Sequence, residues 1–350
     1  MERIEKSVPP SDSPGGAAQT VEQRLKHWNV PGVSVAVFGD GAIRWAKTWG
    51  VTDATTQSPA TTTTRFQAGS ISKPITATVV LELSAEGRLS MDEDINRRLR
   101  SWKLPDTEWS GETKVTAARL INHTAGISVK SFPGYASSST GPTLAEILDG
   151  RPPANTPPIR VTSKPGAEYR YSGGGYVILQ QAISDIEKQP FERVMRRRLL
   201  DPLGMTSSTF AVSFPDDAER ASGHTATGAR VEGKWHVYPE SAAAGLWSTP
   251  TDLARYAMAI QAALQGRRAI VSRQAALWMT SANGAPTRGM AFDLSPSAFY
   301  HAGDTEGFYA AVVGSTDGHW GVAIMTNGAQ GGNVINELIK AISHEYDWSD

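Results

Sequence analysis

Residues 66–73 read Phe66-Gln67-Ala68-Gly69-Ser70-Ile71-Ser72-Lys73, and the apolar residues that follow, Ile75, Val79, Val80 and Leu83, have helical spacing. Gly87 provides the stop. If Ser70 opens that helix, its hydroxyl sits at the positive end of the helix dipole, where a developing oxyanion is favoured. Its backbone N–H has no intrahelical partner and is free to donate to that oxyanion. Lys73, three residues on, shares the face and reaches the hydroxyl. A serine needs a base beside it to act as a nucleophile. Burial disfavours an ammonium, so a lysine in a pocket can serve as that base. By itself the spacing is weak. A chain of this composition yields about one Ser-x-x-Lys by chance, and a serine helix cap with a surface lysine accounts for it as well.

Two further stretches bear on Ser70. Pro165–Tyr176 reads PGAEYRYSGGGY, a Gly-rich turn opening a helix. It can hold Tyr171 in a fixed, partly exposed position, and a tyrosine beside a cationic lysine can relay a proton between nucleophile and leaving group. The alternative is a loop tyrosine with its hydroxyl satisfied. Tyr300-His301-Ala302-Gly303-Asp304 ends a predicted strand. A glycine there lets a substrate backbone approach, and the Asp304 N–H could be a second oxyanion donor. His319-Trp320-Gly321 has the same spacing and reads as an ordinary strand position.

Outward from these motifs, residues 1–17 are polar and rich in Pro, Ser and Gly, and read as a flexible lead. A helix around Val21, Leu25 and Trp28 precedes a hairpin of Val33–Phe38 and Ala42–Trp49. Residues 88–232 carry short helical patterns between Pro- and Gly-rich loops, with stronger helices near 175–188 and 190–200. Helix patterns return near 250–265 and 333–346, and strand patterns at 298–302, 307–315 and 319–326. Strands at both ends with helices between predict an α+β fold whose antiparallel sheet is built from both termini. The expected division is 18–87 with 233–350 as an α/β domain and 88–232 as a helical domain.

Composition narrows the function. The 350 residues carry a formal net charge of −1, so nothing electrostatic points to nucleic acid. Arg196-Arg197-Arg198 sits in a helical pattern and reads as a solvated face. The absence of cysteine excludes disulfides and a thiol nucleophile. Scattered histidines without His-Glu-x-x-His argue against a metal, and no cofactor is expected. No Gly-x-Ser-x-Gly elbow is present, nor a dinucleotide fingerprint. No apolar run approaches a membrane span, and the first residues lack a signal-peptide segment. The expectation is a soluble chain without a membrane span. Its compartment and oligomeric state stay open.

Taken in order, Ser-x-x-Lys at 70, Tyr-Ser at 171 and His-x-Gly at 301 resemble the penicillin-recognising serine hydrolases: class C β-lactamases, DD-peptidases, D-aminopeptidases and esterases of the same fold. The segments FQAGSISKP, LINHTAGI, PGAEYRYSGGGY, DPLGMTSSTF, AAAGLWSTPTDLARY and IMTNG carry the resemblance from about residue 30 to 327. It implies a five-stranded antiparallel sheet flanked by helices, Ser70 as nucleophile, Lys73 as base and Tyr171 as acid/base. It also implies an oxyanion hole from the Ser70 and Asp304 backbones, with Gly303 between His301 and Asp304. His123 resembles a structural histidine. Phe132, Tyr135 and Trp247 are candidate pocket walls.

Two positions depart from the β-lactamase pattern. Gly173 stands where a Tyr-x-Asn amide orients substrate, and His301 where a charged lysine meets the β-lactam carboxylate. The expectation is therefore a hydrolase of small esters or D-amino-acid and peptide amides with weak or no β-lactamase activity. The alternatives are an acyltransferase or peptide cyclase using the same acyl-enzyme, or a β-lactam-binding sensor without turnover.

Overall fold

The computed structural model describes residues 1–13, 15–213, 219–285 and 287–348, without the side chains of Asn283 and Ala285. The alternation within β1 (Gly32–Gly39) decides the layering. Val33, Val35 and Val37 meet Val322, Ile324 and the C-terminal helix residues Val334, Ile335, Leu338 and Ile342. Ala36 and Phe38 face the larger core on the other side. A strand buried on both faces belongs in the middle of its sheet.

β2 (Ala42–Asp53) returns through Asp40-Gly41, whose φ values of 56° and 78° match the tight turn of a twisted hairpin. β3 (Ser58–Pro59) extends that edge. The other strands come late in the chain: β4 (Ala282–Ala285), β5 (Arg288–Gly289), β6 (Asp293–Leu294), β7 (Ala298–Thr305), β8 (Phe308–Ser315) and β9 (Gly321–Thr326). The order is β3-β2-β1-β9-β8-β7-β6-β5-β4, and every pairing is antiparallel. The sheet thus joins the two ends of the chain through β1 and β9, with Val33 opposite Thr326.

The expected five strands are the long central ones, β2, β1, β9, β8 and β7. Among the described residues the sheet has nine because β3, β4, β5 and β6 add short edges of two to four residues. Pieces that short carry no readable alternation. The helix Pro250–Leu264 covers one face of the sheet, and Gly331–Tyr346 covers the other. The 88–232 stretch supplies the helices Ala117–Ile121, Leu144–Asp149, Gly173–Glu187 and Phe191–Met195. Its Val177, Ile178 and Val194 share one apolar core with Ile75 and Val79 and with Phe299 and Phe308 of the sheet.

Residues 1–17 differ from the expected flexible lead. Glu2–Lys6 is helical, Ile4 and Val8 are buried, and Val8 pairs with Gln19. Ser11 donates to Glu337, and Asp12 pairs with Arg24 at 2.7 Å. Two apolar residues set in a polar, proline-rich run are too few to show a period, yet they suffice to anchor it. The arginine triplet is not free either. Arg197 and Arg198 both pair with the buried Glu187, and Arg198 also with Glu86. His319 sits in the β8–β9 turn, exposed and bonded to Asp40 at 2.7 Å, rather than on a strand.

Candidate active site

Ser70 lies in the 3₁₀ turn Gly69–Ile71, one step ahead of the helix Ser72–Ala85, rather than at its first residue. Gly69 adopts a φ of 51°, and the Ser72 hydroxyl ties the turn down. It donates to the Gly69 carbonyl at 2.6 Å and accepts from Leu246 N at 3.0 Å. Lys73 then falls one turn beyond Ser70 and is buried. Its Nζ donates to Ser70 Oγ at 2.9 Å and to the Ala243 carbonyl at 2.7 Å. It also lies 5.0 Å from the Tyr171 ring centre and 5.8 Å from that of Tyr176.

Tyr171 comes from the segment that opens the Gly173–Glu187 helix. Ser172 caps that helix by accepting from Gly175 N at 3.1 Å, and its hydroxyl donates to the Ser128 carbonyl at 2.8 Å. Gly173 N and Gly174 N bond the carbonyls of Lys130 and Val129. So clamped, the Tyr171 hydroxyl donates to Ser70 Oγ at 3.0 Å. His123 backs its ring at 4.3 Å between centroids and accepts from Ser172 N at 3.1 Å. Burial, with the Lys73 charge next, holds His123 well below the ordinary histidine range, so it packs as a neutral ring.

The third wall is β7. Gly303 faces the 68–70 turn so closely that an added Cβ would lie 2.0 Å from Ala68 O and 2.7 Å from Ser70 N. A Cβ on Gly69 would in turn lie 2.7 Å from Asp304 N. Two glycines therefore let the Ser70 and Asp304 amides approach. Burial, with the Lys73 charge next, lowers the pKa of His301 from 6.5 to about 4. Its Nδ1 lies 2.7 Å from the Ala302 carbonyl, which only accepts. The proton is therefore on Nδ1, and Nε2 presents a lone pair.

These groups line one cavity of about 680 Å³ that contains Ser70, Lys73, Tyr171, His301 and Asp304. Phe132 lines it too, and an added Cβ on Gly173 would lie 2.9 Å from the Phe132 ring. Tyr135 and Trp247 do not line it. Both are buried behind the site, Tyr135 against Glu240 and Trp247 against Trp235 and Phe308. An aromatic on a neighbouring loop reads the same whether it turns toward the cavity or the core.

Sequence reading missed the rim residues Lys130, Arg288, Asp293 and Glu306. Arg288 stands 4.0 Å over the Tyr169 ring. It also missed the Ala243 carbonyl, which no side-chain motif announces. Among the described residues no three His, Asp or Glu side chains gather as metal ligands would, and no helix is long and apolar enough to cross a membrane.

Comparison with known proteins agrees with this architecture. Residues 17–343 match the family model described as Beta-lactamase. Protein flp of Staphylococcus aureus strain N315 is 25% identical over 244 residues, covering 69% of this chain and 46% of that protein. The chain thus spans about half the length of such curated relatives. The octameric penicillin-binding protein homologue from Pyrococcus abyssi superposes with a TM-score of 0.75 at 22% identity, over 93% of this chain and 76% of that one. The D-amino acid amidase from Ochrobactrum anthropi SV3 superposes with a TM-score of 0.74 at 21% identity, over 93% and 98%. At those identities the likeness is one of fold. The family model spans nearly the whole chain, and on that ground the chain belongs to the beta-lactamase family of serine β-lactamase-like hydrolases.

Proposed function

We propose that the protein hydrolyses small esters or D-amino-acid and peptide amides through an acyl-enzyme on Ser70. One observation carries the reading. Ser70 Oγ sits 2.9 Å from Lys73 Nζ and 3.0 Å from the Tyr171 hydroxyl, at the wall of an open cavity.

In this mechanism Ser70 Oγ attacks the substrate carbonyl carbon while its proton passes to the Lys73 amine. The Ser70 and Asp304 amides hold the charge that develops on the carbonyl oxygen. Tyr171 passes a proton to the departing alkoxide or amine and is reprotonated by Lys73, so the proton taken from Ser70 leaves with that group and the pair is reset. Water, activated by the same pair, then attacks the ester carbonyl and releases the acid and the free serine.

Substrate preference follows from two positions. A β-lactam carboxylate would meet the neutral His301, whose Nε2 accepts and repels an anion's lone pairs. Gly173 offers no side-chain amide, and Phe132 lies where one would extend. A substrate presenting an N–H, ammonium or hydroxyl to His301 suits the site better. The amidase neighbour puts D-amino-acid amides on the panel to be tested.

The test is intact mass spectrometry of the native chain with an ester panel, a D-alanyl anilide, a chromogenic cephalosporin and a serine-directed phosphonate. A single adduct absent from Ser70→Ala is expected, with turnover of the ester or the anilide. No adduct from any of them would refute the reading.

A further inference from the structure

Glu240 is fully buried, and nothing in the mechanism above uses it. Its Oε1 receives the Tyr135 hydroxyl at a long 3.3 Å, and among the described residues its Oε2 has no hydrogen-bond partner. Among the described residues no cation pairs with it. A buried carboxyl left this way demands an explanation, because an ionised one without a cation and with so few donors is strongly disfavoured. Its place in the chain supplies one. The Glu240 carbonyl accepts from Ala243 N at 2.9 Å and Ala244 N at 3.0 Å, closing the single helical turn Ser241–Ala244. That turn presents the Ala243 carbonyl to Lys73. Gln180 grips the same turn, donating to the Pro239 carbonyl and accepting from Ala242 N, both at 2.9 Å.

Building on the Ser70 reading, we infer that Glu240 is a positioning residue. As a neutral acid it keeps the Ser241–Ala244 turn closed, and its ionisation opens that turn and withdraws the Ala243 carbonyl from Lys73. A carboxylate formed in this place gains only the Tyr135 hydroxyl and its own backbone N–H as donors, with no cation among the described residues to offset its burial. It is therefore driven toward water, and its own backbone is the element that closes the turn.

The groups facing it are few. Tyr135 lies on one side, itself accepting from Asn155 N at 3.3 Å. Tyr238 lies on the other, bonded to Glu306 N at 3.0 Å and sensing Glu306 and Asp304. The helix Gly173–Glu187 offers the neutral Gln180, and the helix Ser72–Ala85 offers Lys73 through the Ala243 carbonyl. Burial raises the carboxyl to about 7, opposed by hydrogen bonds from its own backbone and from Tyr135, so the change of state falls near neutral pH.

The experiment is the pH profile, from 5.5 to 9, of Ser70 acylation by an activated aryl acetate, followed by intact mass and product release. The native chain should lose at least fivefold in rate as pH rises above 7. Glu240→Gln keeps the shape and removes the ionisation. It should match the native rate at pH 6 within threefold and lack the fall. Tyr135→Phe removes the one side-chain hydrogen bond to the carboxylate, so its fall should move to higher pH by about half a unit. This second variant decides the matter if Glu240→Gln does not fold. A native fall retained in Glu240→Gln, a native profile flat to pH 9, or a fall that Tyr135→Phe leaves in place or moves to lower pH would overturn the role of Glu240. Absence of any Ser70 adduct in the native chain at every pH would overturn the hydrolase reading, and this inference with it. An adduct whose pH profile the variants do not change would overturn only the latter.

Discussion

Gly303 lies against Ser70 with no room for a side chain: a Cβ there would sit 2.7 Å from the Ser70 amide nitrogen and 2.0 Å from the Ala68 carbonyl oxygen. Relief requires β7 and the 68–70 turn to separate, which moves the Asp304 amide away from Ser70. Gly303→Ala should therefore lower kcat/KM by about a hundredfold, the scale of losing one oxyanion donor. The loss should fall mainly in kcat. Steady-state kinetics beside a melting curve separates this from simple unfolding.

Lys73→Met keeps the length and burial of the side chain and removes the proposed base. Acylation of Ser70 should fall by about 10²–10⁴-fold, while Tyr171→Phe should leave the first step less affected than release of a poor leaving group. Pre-steady-state rates with an activated ester and with an anilide would reveal the split. Equal losses on both substrates for both variants would refute the division of labour.

The pH dependence of stability has a worked sign at His301. Its ring titrates near 4 in the folded chain and near 6.5 when unfolded. Above pH 6.5 neither state is protonated and the ring is neutral in its effect. As pH falls from 6.5 toward 4, the unfolded chain binds a proton that the folded chain refuses, so stability is lost. The full effect is about 3 kcal/mol. His301→Gln should flatten the fall in melting temperature over that window, and His123, lowered in the same direction by burial, accounts for part of what is left.

Gly173→Asn places the amide that a β-lactamase uses against the Phe132 ring and the Lys130 carbonyl, which an added Cβ would approach to 2.9 and 3.2 Å. It should slow acylation and add no cephalosporin turnover. Combined with Phe132→Ala, which clears the space, the loss should be at least partly restored. A chromogenic cephalosporin assay that rises with Gly173→Asn alone would show that Phe132 yields freely.

Arg24 and Glu337 form a buried ion pair at 2.8 Å that also gathers Ser11, Asp12 and Trp28. Arg24→Met strands a buried carboxylate and should destabilise the chain by about 3–5 kcal/mol. The double replacement Arg24→Met with Glu337→Met should cost less than Arg24→Met alone, because no unpaired charge remains. Urea unfolding measures both.

Periodicity and order made much of this molecule legible. The β1–β2 hairpin, the helices after Ser70 and Tyr171 and the three late strands follow from repeats of two or 3.6 residues. Lys73 reaches Ser70 because i and i+3 share a helix face, a purely local fact. The lead packed through Ile4 and Val8, the short edge strands and the inward turn of Tyr135 and Trp247 left no such trace. Each rests on what lies opposite in space.

The amino-acid sequence by itself determined the long elements, the family resemblance and the order of Ser70, Lys73, Tyr171 and His301 along the chain. Only the tertiary structure decided what meets what. It set the Ala243 carbonyl on Lys73, Gly303 on the Ser70 turn, the proton on His301 Nδ1, Phe132 in the space beside Gly173, and Glu240, buried without a cation among the described residues, behind the site. The physical reason is that the Phe132, Ala243 and Gly303 contacts join segments 41, 170 and 233 residues apart, and that the His301 tautomer depends on how its ring is turned inside the folded site. They involve backbone groups and burial, which carry no residue-type signature, whereas helix and strand spacing is written within a few residues of itself.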